Sequence, residues 1–326
     1  MLAGIVPVHQ SSGRRRLGFG LACATMISWG ILPVALSGIL SRLDPITITG
    51  VRFVVSAAVL AGALGLGRSR PALGGLARGN WALLAVATAF LAANYLGYIV
   101  GLHHTTPADA QVLIQGAPIL LALAGVWVFR EPFSRIQWAG FALLVAGIAI
   151  FSVSRLATVL ALPGSEDHLY GNAMIGLAAV TWAIYGIAQK QLLRVLPSQH
   201  IMVCIYLGCA LIFFPLADLS ALGSLDGAGW ALLIFCALNT VVAYGCFAEA
   251  LQHWEASRVS AVLALVPLMT LGFQRLTLVF FPGFDTGPPL DATAILGACT
   301  VVAGSLVTSL GAPSAARDEA SDVGLS

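Results

Sequence analysis

The sequence predicts an all-α, polytopic membrane protein of ten transmembrane helices, built as two inverted five-helix repeats. Apolar residues make up 59% of the chain and charged residues only 9%, whereas soluble domains carry about 25% charged residues. Apolar runs of roughly 20 residues recur, the length that a helix needs to cross about 30 Å of hydrocarbon. A third observation is that the two halves of the chain contain similar stretches of sequence, which indicates an internal repeat. The net charge of +2 gives no indication of nucleic-acid binding.

Charged and helix-breaking segments, such as GRSRPALGGLARGN, LPGSEDHLYG and FPGFDTGPPLD, separate the apolar runs. They place spans near residues 17–38, 46–66, 81–102, 107–128, 136–153, 171–190, 199–217, 229–250, 257–281 and 290–310. The run after the first three arginines is too long for a signal peptide, so we interpret it as the first span. We therefore expect a basic cytoplasmic N-terminus (1–16), a first five-helix unit (17–153), an outer connecting loop (154–170), a second unit (171–310) and a disordered cytoplasmic tail (311–326).

The distribution of Lys and Arg predicts the orientation in the membrane. With the N-terminus inside, the outer connections hold two basic residues, Arg42 and Arg155. The inner connections and tails hold twelve, namely Arg14, Arg15, Arg16, Arg68, Arg70, Arg78, Arg130, Arg135, Lys190, Arg194, Arg258 and Arg317. This asymmetry predicts that both termini are cytoplasmic.

The letters WALL occur at Trp81–Leu84 and again at Trp230–Leu233. At that offset Tyr95 falls on Tyr244 and Pro118 on Pro267, which indicates a duplication. The first spans of the two units also correspond, with Gly18 and Trp29 matching Gly171 and Trp182. Because each unit has an odd number of spans, the second must enter the membrane upside down. Inverted repeats of this kind are typical of secondary transporters, which rock about a site at mid-membrane.

The chain resembles the drug/metabolite transporter superfamily, in particular its EamA-type members with two five-helix repeats. Trp29-Gly30 and Arg52-Phe53 lie in the first two spans, and the segment APILLALAGVWVFREPFSRIQWAGFALLVAG has the family's pattern. That pattern comprises Pro118, Glu131, Gly140 and Gly147. The second unit repeats it as Pro267, Gly297 and Gly304, but Phe280 stands where the Glu would fall.

The resemblance implies a facilitated or proton-linked carrier of small metabolites, amino acid-like or amphipathic, that usually exports them from a cavity between the helices. It also implies a bacterial inner-membrane location. We expect a monomer whose partners are its substrate, the lipid bilayer and, as a candidate coupling ion, the proton. The chain contains no Walker A motif, so we expect no ATP-driven transport by this chain.

Aromatic and polar residues at mid-depth are the candidates for substrate binding. Trp29 and Trp182 each lie about 17 Å into their spans, and Tyr185 shares the Trp182 face. In the fourth span Gln111, Gln115 and Pro118 form one stripe. We expect Pro118 and Pro267 to kink their helices. The alternative role for Trp29 and Trp182 is buried helix packing, and for the fourth-span stripe it is hydrogen bonding between helices. Further mid-depth candidates are Asn94, Tyr98, Asn239 and Tyr244, with interhelical hydrogen bonding as the alternative for the asparagines.

Few charges lie within the spans. The segment Thr106–Asp109 reads as a helix cap, with proton coupling by Asp109 as the alternative. Glu249 is a weak candidate for a proton-responsive carboxyl group. Arg52 and Arg275 each lie about 9 Å below the outer surface. Each either extends its guanidinium to that surface or binds a substrate carboxylate, and we include Arg275 among the substrate-binding candidates.

The alternatives to a carrier are a membrane-embedded enzyme and a channel. A membrane enzyme acting on lipid-linked substrates would need clustered Asp, Glu or His, often with a metal, and no such spacing occurs. A channel would show rings of charge or a filter sequence. The six cysteines have neither metal-ligand nor disulfide spacing. We therefore expect a transporter rather than an enzyme, without metal or cofactor.

Overall fold

The computed structural model describes residues 14–66, 75–128, 133–160, 165–253, 259, 262–284 and 290–310. Every regular element in these ranges is helical. The α-helices are α1 (Arg15–Leu40), α2 (Pro45–Leu66), α3 (Arg78–His104), α4 (Pro107–Leu113), α5 (Gly116–Val128), α6 (Arg135–Leu160), α7 (Ser165–Leu192), α8 (Ser198–Phe213), α9 (Gly227–His253), α10 (Val266–Phe280) and α11 (Ala292–Leu310). Two 3₁₀ turns, Phe214–Leu216 and Leu219–Ser224, follow α8.

Seven of these helices are long and apolar enough to cross a membrane: α1, α2, α3, α6, α7, α8 and α9. Two shorter apolar helices, α10 and α11, occupy the positions of the ninth and tenth predicted spans. The all-helical membrane fold predicted from composition is therefore confirmed at this level. The number of ten crossings stays a prediction.

The fourth and ninth predicted spans are both interrupted in their first halves. Helix α4 ends at Leu113 and α5 begins at Gly116, so the break covers Ile114 and Gln115. A matching turn at Ala264 and Leu265 precedes α10. Each break lies within the four residues before a proline, Pro118 or Pro267. A proline ring clashes with the carbonyl group four residues earlier and supplies no N–H, which is the physical reason for both interruptions.

Asp and Thr side chains cap the N-termini of several helices at their predicted outer ends. Asp44 accepts hydrogen bonds from the N–H groups of Ile46 and Thr47, both at 2.9 Å, at the start of α2. Asp226 does the same for Gly229 at 2.7 Å in α9. These caps satisfy N–H groups that lack a partner within the helix, so they set where each helix begins.

The packing of the helices has a two-fold pattern. The most extensive contacts are those of α6 with α11, α3 with α7 and α1 with α9. In addition α2 packs on α8, α5 on α7 and α1 on α10. Exchanging each helix of the first unit for its counterpart in the second converts α3–α7 into α9–α1 and α5–α7 into α10–α1. The pairs α6–α11 and α2–α8 each convert into themselves.

Glycines determine how closely α6 and α11 approach. A Cβ atom on Gly140 would lie within 3.0 Å of the Gly304 carbonyl oxygen, and one on Gly147 within 3.0 Å of the Gly297 carbonyl oxygen. Because the lower-numbered glycine of α6 faces the higher-numbered one of α11, the two helices run antiparallel. Backbones at this distance leave no room for a side chain, which explains the glycine pattern seen in the sequence.

The connection between the two units is shorter than the loop predicted over 154–170. Helix α6 continues to Leu160 and α7 already begins at Ser165. Arg155 falls in the predicted outer loop but lies within α6 in the structure. Its side chain is buried and paired with Asp109, so its charge does not require a position in a solvent-exposed loop. The predicted N-terminal segment, up to residue 13, and the tail from residue 311 lie outside the described residues.

Candidate functional site

The two predicted tryptophans meet through one tyrosine. The Trp29 ring lies 5.5 Å from that of Tyr244 and 5.7 Å from that of Phe247. The Tyr244 hydroxyl shares side-chain hydrogen bonds with Trp182 and Tyr95. Trp182 in turn packs edge-on to Tyr185, with ring centroids 6.4 Å apart. We call Trp29, Tyr95, Trp182, Tyr185 and Tyr244 the central aromatic cluster; it joins α1, α3, α7 and α9.

The central aromatic cluster lies deep in the bundle. Trp29 is eleven residues before the end of α1 and Tyr244 nine residues before the end of α9, distances of about 16 and 14 Å along the helices. Trp29, Tyr95, Trp182 and Tyr244 are half-buried, whereas Tyr185 is buried and its hydroxyl donates to Met202 Sδ at 3.4 Å. The cluster therefore presents ring faces and hydroxyl groups at mid-depth.

The two predicted asparagines hold helices together. Asn94 Nδ2 donates to the Ala178 carbonyl and Asn239 Nδ2 to the Ser28 carbonyl, both at 2.8 Å. These bonds link α3 to α7 and α9 to α1, the two pairs that the two-fold pattern exchanges. Among the residues that the structure describes, the buried Asn239 carbonyl oxygen has no hydrogen-bond partner. The NH₂ group of this amide therefore joins two helices, while its oxygen has no partner in the described part of the chain.

The fourth-span stripe divides at the helix break. Gln111 is buried, and the Tyr98 hydroxyl donates to its Oε1 at 3.5 Å, which joins two predicted site residues. Gln115 is half-buried within the break itself, and Pro118 lies on an exposed face of α5. Pro267, its repeat partner, is buried. The stripe therefore does not present one continuous surface to the interior.

The two arginines within the predicted spans differ in their exposure. Arg275 is exposed on α10. Arg52 is only 3% exposed, and its Nε and Nη2 donate to Thr240 Oγ1 at 3.3 and 3.1 Å. Its guanidinium carbon lies 5.0 Å from the centre of the Tyr95 ring, within range of a cation–π contact. The sequence predicts the same depth for both arginines and led us to include only Arg275 among the substrate-binding candidates, since depth along a helix does not reveal which way a side chain points.

Glu249 lies near the inner end of α9. Its side chain is 49% exposed, and its Oε1 is 3.0 Å from Nε2 of His253, one turn later. Arg258 and Glu131 lie outside the described residues. Glu249 is therefore separate from the central aromatic cluster, by more than one helical turn from Tyr244.

A buried ion pair near the outer end was not predicted as such. Arg155 Nε and Nη2 lie 2.6 and 2.8 Å from the two carboxylate oxygens of Asp109. The cap expected at Thr106 is present, because Thr106 Oγ1 accepts from the Asp109 N–H at 3.1 Å, and Pro107 occupies the first helical position. Asp109 thus has two roles, and only the capping role could be read from local sequence.

Comparisons with known proteins agree with this architecture. Residues 16–153 and 169–310 each match the EamA-like transporter family. A protein of Escherichia coli (strain K12) named "Uncharacterized inner membrane transporter YhbE" is 36% identical over 296 residues, covering 90% of this chain and 92% of its own. An "Uncharacterized transporter" of Haemophilus influenzae is 34% identical over 295 residues, covering 90% of this chain and 95% of its own.

More distant likenesses extend over the same length. A "Probable amino-acid metabolite efflux pump" of Salmonella typhimurium is 24% identical over 322 residues, covering 91% of this chain and 96% of its own. A protein crystal structure covers 91% of this chain and 98% of its own with a TM-score of 0.59 and 19% identity, so it shares the fold.

Proposed function

Because the chain belongs to the EamA-like transporter family, twice matched along its length, we propose that it is a secondary transporter that exports small amino acid-like or amphipathic metabolites. The family resemblance predicted from sequence is confirmed, and the protein is an integral inner-membrane protein. The name of the Salmonella relative supports the substrate class proposed for this chain.

The observation that carries the proposal is the two-fold exchange of helix contacts. We propose ten crossings, with both termini cytoplasmic and the two units inverted. The antiparallel contact of α6 with α11 supports the inversion, because these helices correspond to the fifth and tenth predicted spans, the last span of each unit. A pair of interrupted helices at corresponding positions is the arrangement that inverted-repeat carriers use around their site.

We assign substrate contact to the central aromatic cluster, with Tyr98, Gln111, Gln115, Asn94 and Asn239 around it. Ring faces and hydroxyl groups suit solutes with both apolar and polar parts. The unpartnered Asn239 carbonyl oxygen offers an acceptor to a substrate N–H group. We propose that Arg275, which is exposed on α10, contacts solutes only as they enter or leave at the outer end.

Rocking of the two units about this cluster would expose it to each side in turn.

Glu249 is the carboxylate we propose for proton coupling, since it lies near the inner end of α9 and contacts an ionisable ring, His253. Uptake that responds to an imposed pH gradient in the parent, but not in Glu249→Gln, is the expected result. An unchanged response in Glu249→Gln would remove the assignment.

The test is transport by the purified full chain in lipid vesicles, with a panel of amino acids and amphipathic solutes, with and without a pH gradient. Gln115→Ala and Trp182→Ala are expected to lower the uptake of the transported solute at least tenfold, because each removes a contact at mid-depth. Trp127→Ala, a surface tryptophan of α5, is the matched control and should transport like the parent. Equal transport by all four proteins would contradict the site, and no transport of any solute would contradict the function.

A further inference from the structure

Arg52 carries a charge in the interior that the described residues leave without a counter-ion. It lies seven residues after the start of α2, about 10 Å below its outer end. Its hydrogen bonds are those to the neutral Thr240 hydroxyl, and the described residues place no carboxylate within ion-pair distance of it. Arg155, which is also buried, differs in this respect: its Nε and Nη2 atoms each donate to a carboxylate oxygen of Asp109.

A second observation concerns the same face of α2. Ser56 follows Arg52 by four residues, so the two side chains project from one side of the helix. Ser56 is fully buried, and its hydroxyl oxygen has no hydrogen-bond partner within the described ranges. Two buried hydrogen-bond donors on one face, one charged and one unpartnered, are costly in a membrane interior unless a ligand satisfies them.

The surroundings of Arg52 show what such a ligand would meet. Tyr95 covers one face of the guanidinium, and Tyr98, Tyr206 and Tyr244 lie within electrostatic range. Thr240 takes the Nε and Nη2 edge of the fork, and Nη1 makes no hydrogen bond to the described residues. A planar, two-oxygen anion is the partner that the remaining edge of an arginine fork fits.

We propose that Arg52, with Ser56, binds the carboxylate group of the transported solute, while the central aromatic cluster receives its apolar part. The inference rests on the proposed function and specifies its substrate class as carboxylate-bearing solutes. Tyr95 connects the two parts of the site, since it contacts Arg52 through its ring and Tyr244 through its hydroxyl. A carboxylate bound here would supply the counter-charge that the described residues around Arg52 do not provide.

Binding to the purified full chain in detergent micelles tests the proposal with two isosteric probes, phenylacetate and phenylacetamide. The parent should bind phenylacetate at least about tenfold more tightly than phenylacetamide, because the hydrogen bonds to the carboxylate are charge-assisted. Arg52→Gln should lose this preference. Arg52→Lys, which retains the charge without the fork, should keep an intermediate preference, and Ser56→Ala should weaken phenylacetate binding several-fold.

Arg194→Gln is the matched control, since Arg194 is exposed in the connection after α7, and it should behave like the parent. Equal binding of the two probes by the parent, or no binding of either, would overturn the proposal, as would an Arg52→Lys variant that folds like the parent but shows no preference. Vesicle transport separates this failure from that of the proposed function. Saturable transport of an uncharged or cationic solute, unchanged in Arg52→Gln, would leave a transporter without a carboxylate site.

Discussion

Asp109 and Arg155 show how an ionised residue is accommodated inside this bundle. Their side chains are 1% and 2% exposed, and two short hydrogen bonds join them. Thr106 Oγ1 also donates to Asp109 Oδ2 at 2.9 Å, and Thr105 contacts the same oxygen at 3.3 Å. Burial of either charge alone would be strongly unfavourable, so the pair must be present or absent as a unit.

Removing one member of this pair is therefore expected to cost about 3–5 kcal/mol of stability, because the remaining charge stays buried and unpaired. Arg155→Met should show this loss as a lower thermal midpoint in detergent. The double variant Asp109→Asn with Arg155→Met should be more stable than Arg155→Met alone.

The comparison pair for this experiment is Arg42 with Asp226, whose side chains are 35% and 63% exposed. Solvent screens an exposed pair, so Arg42→Ala should change stability by only about 0–1 kcal/mol. If Arg155→Met were as mild as Arg42→Ala, the Asp109–Arg155 pair would not contribute as its burial indicates.

Asp291, which precedes α11 at the outer end, makes stability depend on acid pH. The Ser154 hydroxyl donates to both of its oxygens at 2.7 and 2.8 Å, and the Ala294 N–H donates at 2.6 Å. Chiefly the Ser154 hydrogen bond, then that of Ala294, lower the pKa of Asp291 below its ordinary value of 3.8. A lowered pKa means that the folded state favours the carboxylate.

This contribution is present above pH 3.8 and is lost as the pH falls through the lower pKa of the folded state. We expect the thermal midpoint of the parent to fall more between pH 6 and about pH 3 than that of Asp291→Asn, which has no such group to protonate. Ser154→Ala should lie between the two. Identical pH profiles for the parent and Asp291→Asn would show that the interaction does not couple to folding.

At the scale of helices, the packing of α6 on α11 depends on residues without side chains. Atoms of the opposing backbone lie within 3.0 Å of the Cβ position at Gly140, Gly147, Gly297 and Gly304. A backbone cannot move aside as a flexible side chain can. The close contact between α6 and α11 therefore depends on these four glycines.

Gly147→Ala is expected to destabilise the protein by about 1–3 kcal/mol, since α6 and α11 must separate to admit the methyl group. The matched control is Gly176→Ala in α7, where no atom lies within 4 Å of the Cβ position. That change should be neutral or stabilising by about 0.5–1 kcal/mol, because alanine is the better helix former. Thermal midpoints of both variants in detergent provide the measurement, and equal effects would contradict the close approach.

At the scale of the whole molecule, the inverted arrangement predicts that the two WALL segments begin on opposite sides of the membrane. Trp81 begins the first WALL segment and Trp230 the second, and both are exposed, at 45% and 41%. Aromatic residues at the ends of spans lie at the membrane surface, where a reagent in water reaches them. Inverted repeats place Trp81 inside and Trp230 outside.

In a variant without the six native cysteines, a membrane-impermeant thiol reagent added to intact cells should label Trp230→Cys but not Trp81→Cys. Permeabilised cells should label both, which controls for reactivity. Labelling of both positions from the outside, or of Trp81→Cys alone, would contradict the inverted topology and the mechanism built on it.

Composition and the length of the apolar runs by themselves determined the membrane class, the helical fold and most helix positions, whereas the family was indicated by the resemblance of its motifs. These follow from hydrocarbon thickness and from the requirement that every backbone group be hydrogen-bonded, and both act on local sequence. The cap at Thr106 could be predicted for the same reason, since it depends on residues within four positions. The prolines predict kinks at Pro118 and Pro267, but not the two-residue breaks that precede them.

Only the tertiary structure decided which polar side chains meet. Arg52 and Arg275 are predicted at the same depth, and only Arg275 was a candidate for substrate binding, yet Arg52 is buried against Tyr95 and Thr240 and Arg275 is exposed. The local sequence predicts Arg155 in a loop, because its partner Asp109 lies 46 positions earlier in the chain and only the fold brings the two together. The direction of a side chain depends on how helices rotate and pack against one another, and that is a property of distant segments acting together rather than of any one of them.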